Sequence, residues 1–290
     1  FMAYPSTIRG TDENLLGYLK KTVEDDYFDA IEVTWIKDGA LRAAAADLLK
    51  ASHLTVCYGA QPRLLTTGLN SCDVDEAGRA AAEATLMEAI DEAEALGAKG
   101  IAFLAGKWAE ATQDLAYAQL LKTTNALCAY AATKGMSVEL EVFDYDIAKK
   151  SLMGPAPYAA QFAADVRKKH GNFGLLIDLS HIPMTHESSS FVVRTLRPYV
   201  THIHIGNTVC ADPAAEGYGD EHQRFGFPGG ANDVAQLAEF LRVLKAEGFL
   251  NKEEPCVFSF EVKPWKNEDS DAVVAGAKRT LNRAWALLED

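Results

Sequence analysis

Several things are scarce in this 290-residue sequence. The five cysteines, Cys57, Cys72, Cys128, Cys210 and Cys256, are odd in number, and none stand in C-x-x-C spacing. That argues against a disulfide framework or a structural zinc site. Free thiols in a reducing compartment are expected, which places the chain in the cytoplasm. No apolar run reaches the ~20 residues that span a bilayer, and no signal-peptide pattern is visible. Basic residues are few: 28 Lys and Arg against 41 Asp and Glu leave a formal net charge of -13. A surface of that sign repels phosphate backbones, so no nucleic-acid partner is expected. Histidine is nearly absent from the first half, which holds only His53. The first apolar run enters Pro5-Ser6-Thr7 with no G-x-G-x-x-G. The main signature of a dinucleotide-binding open sheet is therefore missing.

What is present is an alternation. Apolar residues make up 48% of the chain, enough for a large core. Short apolar runs occur at Met2 to Tyr4, Ala30 to Thr34, Leu54 to Cys57, Gly100 to Leu104, Val138 to Val142, Leu175 to Asp178, His202 to Ile205 and Val257 to Val262. Amphipathic stretches such as Asp75 to Leu96 and Gln113 to Thr133 separate them. Gly97, Gly135 and Gly171 punctuate the ends of three such stretches. Strands alternating with helices give right-handed βαβ units and a parallel sheet. Eight units close into a barrel, so the expected fold is α/β, one (β/α)₈ TIM-barrel domain over residues 1–290. The long irregular segments, Tyr58 to Cys72, Asp144 to Pro157 and Asn207 to Asp233, all follow strands. In a barrel those loops form the catalytic face.

Each of the last four strand candidates ends in a side chain able to bind a metal: Glu141, Asp178, His204 and Glu261. Side chains on a strand alternate faces. The apolar neighbours Leu140, Ile177, Ile203 and Phe260 suit the helix-covered outer face, so the four polar groups share the inner face. Three carboxylates that converge repel one another unless a cation lies between them. Oxygen donors with one imidazole suit Mn²⁺, Mg²⁺ or Co²⁺ better than zinc. Glu139 and His202 share the parity one layer deeper, as buried supports. Glu32, Trp35, Lys107, Trp108, Lys263 and Trp265 lie near strand ends and are weaker candidates for touching a substrate.

These residues resemble the xylose-isomerase-like barrel superfamily, in its sugar isomerase and epimerase group that includes the D-tagatose and D-psicose 3-epimerases. The resemblance lies in Glu141-Val142, Asp178-Leu179-Ser180-His181, His202-Ile203-His204-Ile205 and Phe260-Glu261, with Ala30-Ile31-Glu32-Val33 similar to the family's second strand. It implies one divalent ion, manganese first and magnesium or cobalt next, held by Glu141, Asp178, His204 and Glu261. It implies a small sugar or keto-sugar substrate, and Glu141 and Glu261 exchanging a proton beside a metal-polarised carbonyl. His181 would touch a substrate oxygen. Arg224 would take the role of the family's arginine, or else be an ordinary surface charge. A homo-oligomer or a second subunit is a further implication. Two departures stand out. Val142-Phe143-Asp144-Tyr145-Asp146 replaces the family's Asn-Arg-Phe-Glu stretch, and Asn207 to Gln223 is an insertion ahead of Arg224. They leave room for a lyase on the same scaffold, similar to inosose dehydratases or the barrel subunit of C-glycoside deglycosidases. An AP-endonuclease-like hydrolase is a remote alternative: it would need histidines on the early strands, and His53 stands at the start of one.

Overall fold

The computed structural model describes residues 1–288. The apolar runs become seven strands: β1 (Ala30–Val33), β2 (Thr55–Gly59), β3 (Gly100–Leu104), β4 (Ser137–Glu141), β5 (Phe173–Asp178), β6 (Val200–Gly206) and β7 (Val257–Glu261). They form one sheet in sequential order. The helices are α1 (Leu15–Val23), α2 (Gly39–Ser52), α3 (Gln61–Leu65), α4 (Glu76–Ala95), α5 (Gln113–Ala132), α6 (Ala156–Arg167), α7 (Ser189–Leu196), α8 (Val234–Ala246) and α9 (Ser270–Trp285). Among the described residues, no helix is long and apolar enough to cross a membrane.

The expected strand at Met2 to Tyr4 does not form, so the described strands number seven rather than eight. Three residues are too few to hold a strand register. Pro5 has no N–H and a fixed φ, and it opens the 3₁₀ turn Pro5–Arg9 instead. The Tyr4 N–H closes a turn onto the Phe1 carbonyl at 3.1 Å.

The chain groups into two compact units. The first holds Ala3–Leu140 and Phe162–Gly174. Here β1 pairs parallel with β2, and β2 with β3. Ile101 and Phe103 of β3 are fully buried, as are Leu86 and Ile90 of α4 and Leu120 and Leu127 of α5. The second unit holds Glu141–Gln161 and the chain from Leu175 onward. Here β5 pairs parallel with β6, and β6 with β7. The core is Leu176, Ile203, Ile205, Val193, Leu237, Phe240 and Leu241, all buried.

Register in the second unit positions the polar strand ends. Asp178 lies opposite His204, and Gly206 opposite Glu261. A side chain at 206 would be impossible without movement, because a Cβ there would stand 2.4 Å from the Glu261 carbonyl oxygen. Glycine lets β7 approach closely enough to place Glu261 beside His204.

Candidate metal centre

Glu141, Asp178 and Glu261 are the last residues of β4, β5 and β7, and His204 is two short of the end of β6. All four are buried, at 1%, 1%, 9% and 2% exposure in that order. Each offers one ligand atom, and these atoms all lie within 4.8 Å of one another. His204 Nδ1 stands 2.6 Å from Glu261 Oε2 and 3.8 Å from Glu141 Oε1. Asp178 is held from its own chain: the Ser180 N–H donates to Oδ1 at 2.8 Å, and the Ser180 hydroxyl donates to Oδ2. His202, one layer deeper, contacts Ser259 Oγ at 3.1 Å and meets the His204 ring edge-on at 4.8 Å.

The electrostatics show why such a set asks for a cation. Burial and the charge of Glu261 raise the Asp178 carboxyl to about 6, against the pull of nearby histidines. Burial also acts on Glu261, but His222 and His204 outweigh it and hold that carboxyl well below its ordinary range. Without a cation, one carboxyl of the group is thus driven towards its proton. A divalent ion would relieve that crowding, and three carboxylates with one imidazole are a donor set for it.

A second ring of polar groups surrounds these four. His181 Nε2 lies 3.4 Å from Glu141 Oε1 and 3.7 Å from Asp178 Oδ2, with Nδ1 3.6 Å from Asp220 Oδ1. His222 Nε2 lies 2.6 Å from Asp220 Oδ1, and its Nδ1 3.7 Å from Asp178 Oδ2. Asp178, His181, His222 and Glu261 are themselves close enough to form an alternative ligand group. Burial lowers both imidazoles, yet Asp220 and its neighbours outweigh burial. His181 is raised, and His222 is raised to about 10. Asp220 is held well below the carboxylate range by the same histidines, in spite of its burial.

Sequence reasoning missed Asp220 and His222, because both fall in the irregular stretch between β6 and α8. The available signal was Asp220-Glu221-His222, three metal-capable residues in a row, followed by the glycine-rich Phe225 to Gly230. The stretch is well fixed. The Asn207 amide donates to the Arg224 carbonyl at 2.9 Å, and its oxygen accepts the Asn232 N–H at 2.8 Å. Thr208 Oγ1 donates to the Gly219 carbonyl at 2.8 Å. The Lys263 N–H ties the His222 carbonyl to the end of β7 at 2.6 Å.

The other expected contacts differ in their surroundings. His181 joins the cluster. Arg224 does not: it is 41% exposed, and its Nε pairs with Glu268 Oε1 at 2.8 Å. Lys263 Nζ pairs with Glu221 Oε2 at 2.5 Å, and the Trp265 indole donates to Glu216 Oε1 at 2.7 Å. Glu32, Lys107 and Trp108 belong to the first unit. Glu32 is half-buried in β1, Trp108 is half-buried after β3, and Lys107 is exposed beside it. The Lys107 carbonyl accepts from Asn70 Nδ2 at 3.0 Å.

A family model for the xylose isomerase-like TIM barrel matches residues 22–280, which contain all seven strands and every residue of the centre. The chain belongs to the xylose isomerase-like TIM barrel family. Solved structures agree with this family's fold. A D-allulose 3-epimerase from Methylomonas sp., in complex with D-allulose, superposes with a TM-score of 0.73 at 19% identity, covering 96% of this chain and 95% of that one. A 3-keto-D-glucoside 4-epimerase from E. coli gives 0.64 at 17% identity, covering 95% of each chain. A family 2 AP endonuclease from Brucella melitensis gives 0.64 at 15% identity, covering 93% of this chain and 96% of that one. No curated protein sequence matches. At these identities the likeness to the solved structures is one of fold. Within the family, this chain carries its polar strand ends on β4 to β7 of a seven-stranded sheet.

Proposed function

We propose that the protein is a divalent-metal-dependent isomerase or epimerase that moves a proton on the carbon beside the carbonyl of a ketose or keto-sugar. The observation that carries this reading is the buried convergence of Glu141, Asp178, His204 and Glu261. Two of the structural neighbours above are epimerases, one of a ketose and one of a keto-glucoside, which accords with it.

A divalent ion held by those four residues, manganese first with magnesium or cobalt as substitutes, would supply the Lewis acidity that weakens the neighbouring C–H bond. The chain supplies the rest. Glu141 and Glu261 come from different strands, β4 and β7, and are the groups assigned to remove the proton and return it. A positioned carboxylate of this kind contributes ~10²–10⁴-fold in rate. Glu261 is ionised throughout the neutral range, as an acceptor must be. His181 and His222 are N–H donors that can orient substrate oxygens. Burial of the whole group excludes bulk water and strengthens each of these interactions.

The test is solvent exchange. Protein loaded with Mn²⁺ and incubated in D₂O with a panel of ketohexoses and 3-keto-glycosides should place deuterium next to the carbonyl and produce an epimer or isomer, read by NMR. Glu261→Gln should abolish both. No exchange into any of these sugars would overturn the proposal. Exchange accompanied by loss of a β-substituent would replace it with a lyase on the same centre.

A further inference from the structure

The loop between β4 and α6 departs most from the pattern expected at this position, and its construction is unusual. Asp144 is fully buried. Its carboxylate accepts four consecutive backbone N–H groups: Ile147 at 3.0 Å, Ala148 at 2.7 Å, Lys149 at 2.9 Å and Lys150 at 3.2 Å. The turn is tight enough to put Lys150 at φ 51. Its effect is to send the Lys149 side chain inward, where it is only 26% exposed. The ammonium ion-pairs with Asp220 Oδ2, a carboxylate that is itself 2% exposed. It also lies 5.9 Å from the centre of the Phe143 ring, which packs on the His181 ring at 4.2 Å.

Holding a lysine in this way is costly, because it freezes a long side chain and strips water from an ammonium. Asp220 uses that charge, but not all of the hydrogen-bonding capacity that comes with it. An ammonium carries three N–H donors, and Asp220 is the acceptor seen for one of them. The neighbouring cations are engaged in ion pairs between the loops after β6 and β7: Arg224 with Glu268, Lys263 with Glu221 and Lys266 with Glu216. Lys150 is exposed.

We propose that Lys149 is a substrate-binding residue: Asp220 fixes its ammonium beside the metal centre, where its remaining donors hold a hydroxyl oxygen of the keto-sugar. This inference rests on the metal-dependent keto-sugar reading above. It also names what replaces the family's missing glutamate: a donor of positive charge on the loop after β4, in place of an acceptor. Burial weakens the ammonium, but Asp220, followed by Glu261 and Glu141, keeps it protonated.

The experiment uses two hydroxamates, whose adjacent oxygens on a planar unit copy an enediolate. Acetohydroxamate has no further hydroxyls, and D-erythronohydroxamate has three. Both are titrated calorimetrically into the full chain loaded with Mn²⁺. Wild-type protein should bind the polyol compound more tightly. Lys149→Met should remove about tenfold of that preference, the size of one charge-assisted hydrogen bond, and Lys149→Arg should restore part of it. Acetohydroxamate affinity should be the same in all three, which shows that the variants fold and hold metal. An unchanged preference in Lys149→Met, or none in wild type, overturns the role of Lys149 alone. Failure of wild-type protein to bind Mn²⁺ or acetohydroxamate overturns the metal reading, and this inference with it.

Discussion

To serve as the proposed ligand, Asp178 must meet two conditions that oppose each other: its carboxylate should be ionised, yet burial and Glu261 favour its protonated form. Ser180 works against that, since its backbone N–H and its hydroxyl both donate to Asp178, one to each oxygen. These bonds stabilise the anion and fix its direction, as hydrogen bonds behind a metal ligand generally do. Removing Ser180 Oγ should therefore weaken the ion without touching a ligand. Ser180→Ala is expected to lower Mn²⁺ affinity about 10-fold, within the usual range for such supports, and Asp178→Ala should lower it much further. Electron paramagnetic resonance titration of free Mn²⁺ reads both. Equal affinities for Ser180→Ala and wild type would show that the Ser180 hydroxyl does not support the ligand, and equal affinities for Asp178→Ala that Asp178 does not reach the ion.

At the scale of elements, packing between helices has its own electrostatics. Glu76, in the first turn of α4, bonds to Arg79 Nη2 at 2.9 Å and to Lys122 Nζ of α5 at 2.5 Å. Arg79 first, then Lys122, pull its carboxyl down to about 2 from an ordinary 4.5. The folded value is below the unfolded one. The contribution is thus complete above about 4.5, and it is lost as pH falls through about 2. Glu76→Gln should lower the melting temperature slightly at neutral pH, and the gap to wild type should close as pH falls towards 2. A gap independent of pH would mean that the carboxylate charge is not what joins the helices. The Glu76–Lys122 pair is not readable from the sequence, because it joins residues 46 apart. Strand parity was readable, because it is local. Period-two alternation puts Glu141, Asp178, His204 and Glu261 on one face of their strands, and the parallel pairing sets Asp178 opposite His204 and Glu261 opposite Gly206. Parity says nothing about loops. Lys149, Asp220 and His222 are set by the Asp144 turn and the Asn207 ties, whose partners lie up to 25 residues away. Met2 to Tyr4 read as a strand from its apolar pattern, but the proline after it decided otherwise.

For the molecule as a whole, charge bears on a choice that the shared barrel leaves open. The superposition with an AP endonuclease is nearly as good as that with a keto-glucoside epimerase, so the fold does not choose between phosphodiester and sugar chemistry. Net charge does. Binding a duplex requires cations to displace the ions condensed on its phosphates, and this chain carries 13 more acidic than basic residues. Arg224, Lys263 and Lys266, around the metal-capable residues, are already paired with acids. His53, the histidine of the first half, ends α2 at φ 59, ahead of β2 rather than at its far end. Metal-loaded protein should therefore leave a fluorescent duplex with one abasic site unbound and uncut at physiological salt, by anisotropy and gel assay. Lowering the salt should not rescue binding, since the long-range field is repulsive and strengthens as screening weakens. Binding that tightens at low salt, with cleavage at the abasic site, would transfer the centre from proton exchange on sugars to phosphodiester hydrolysis.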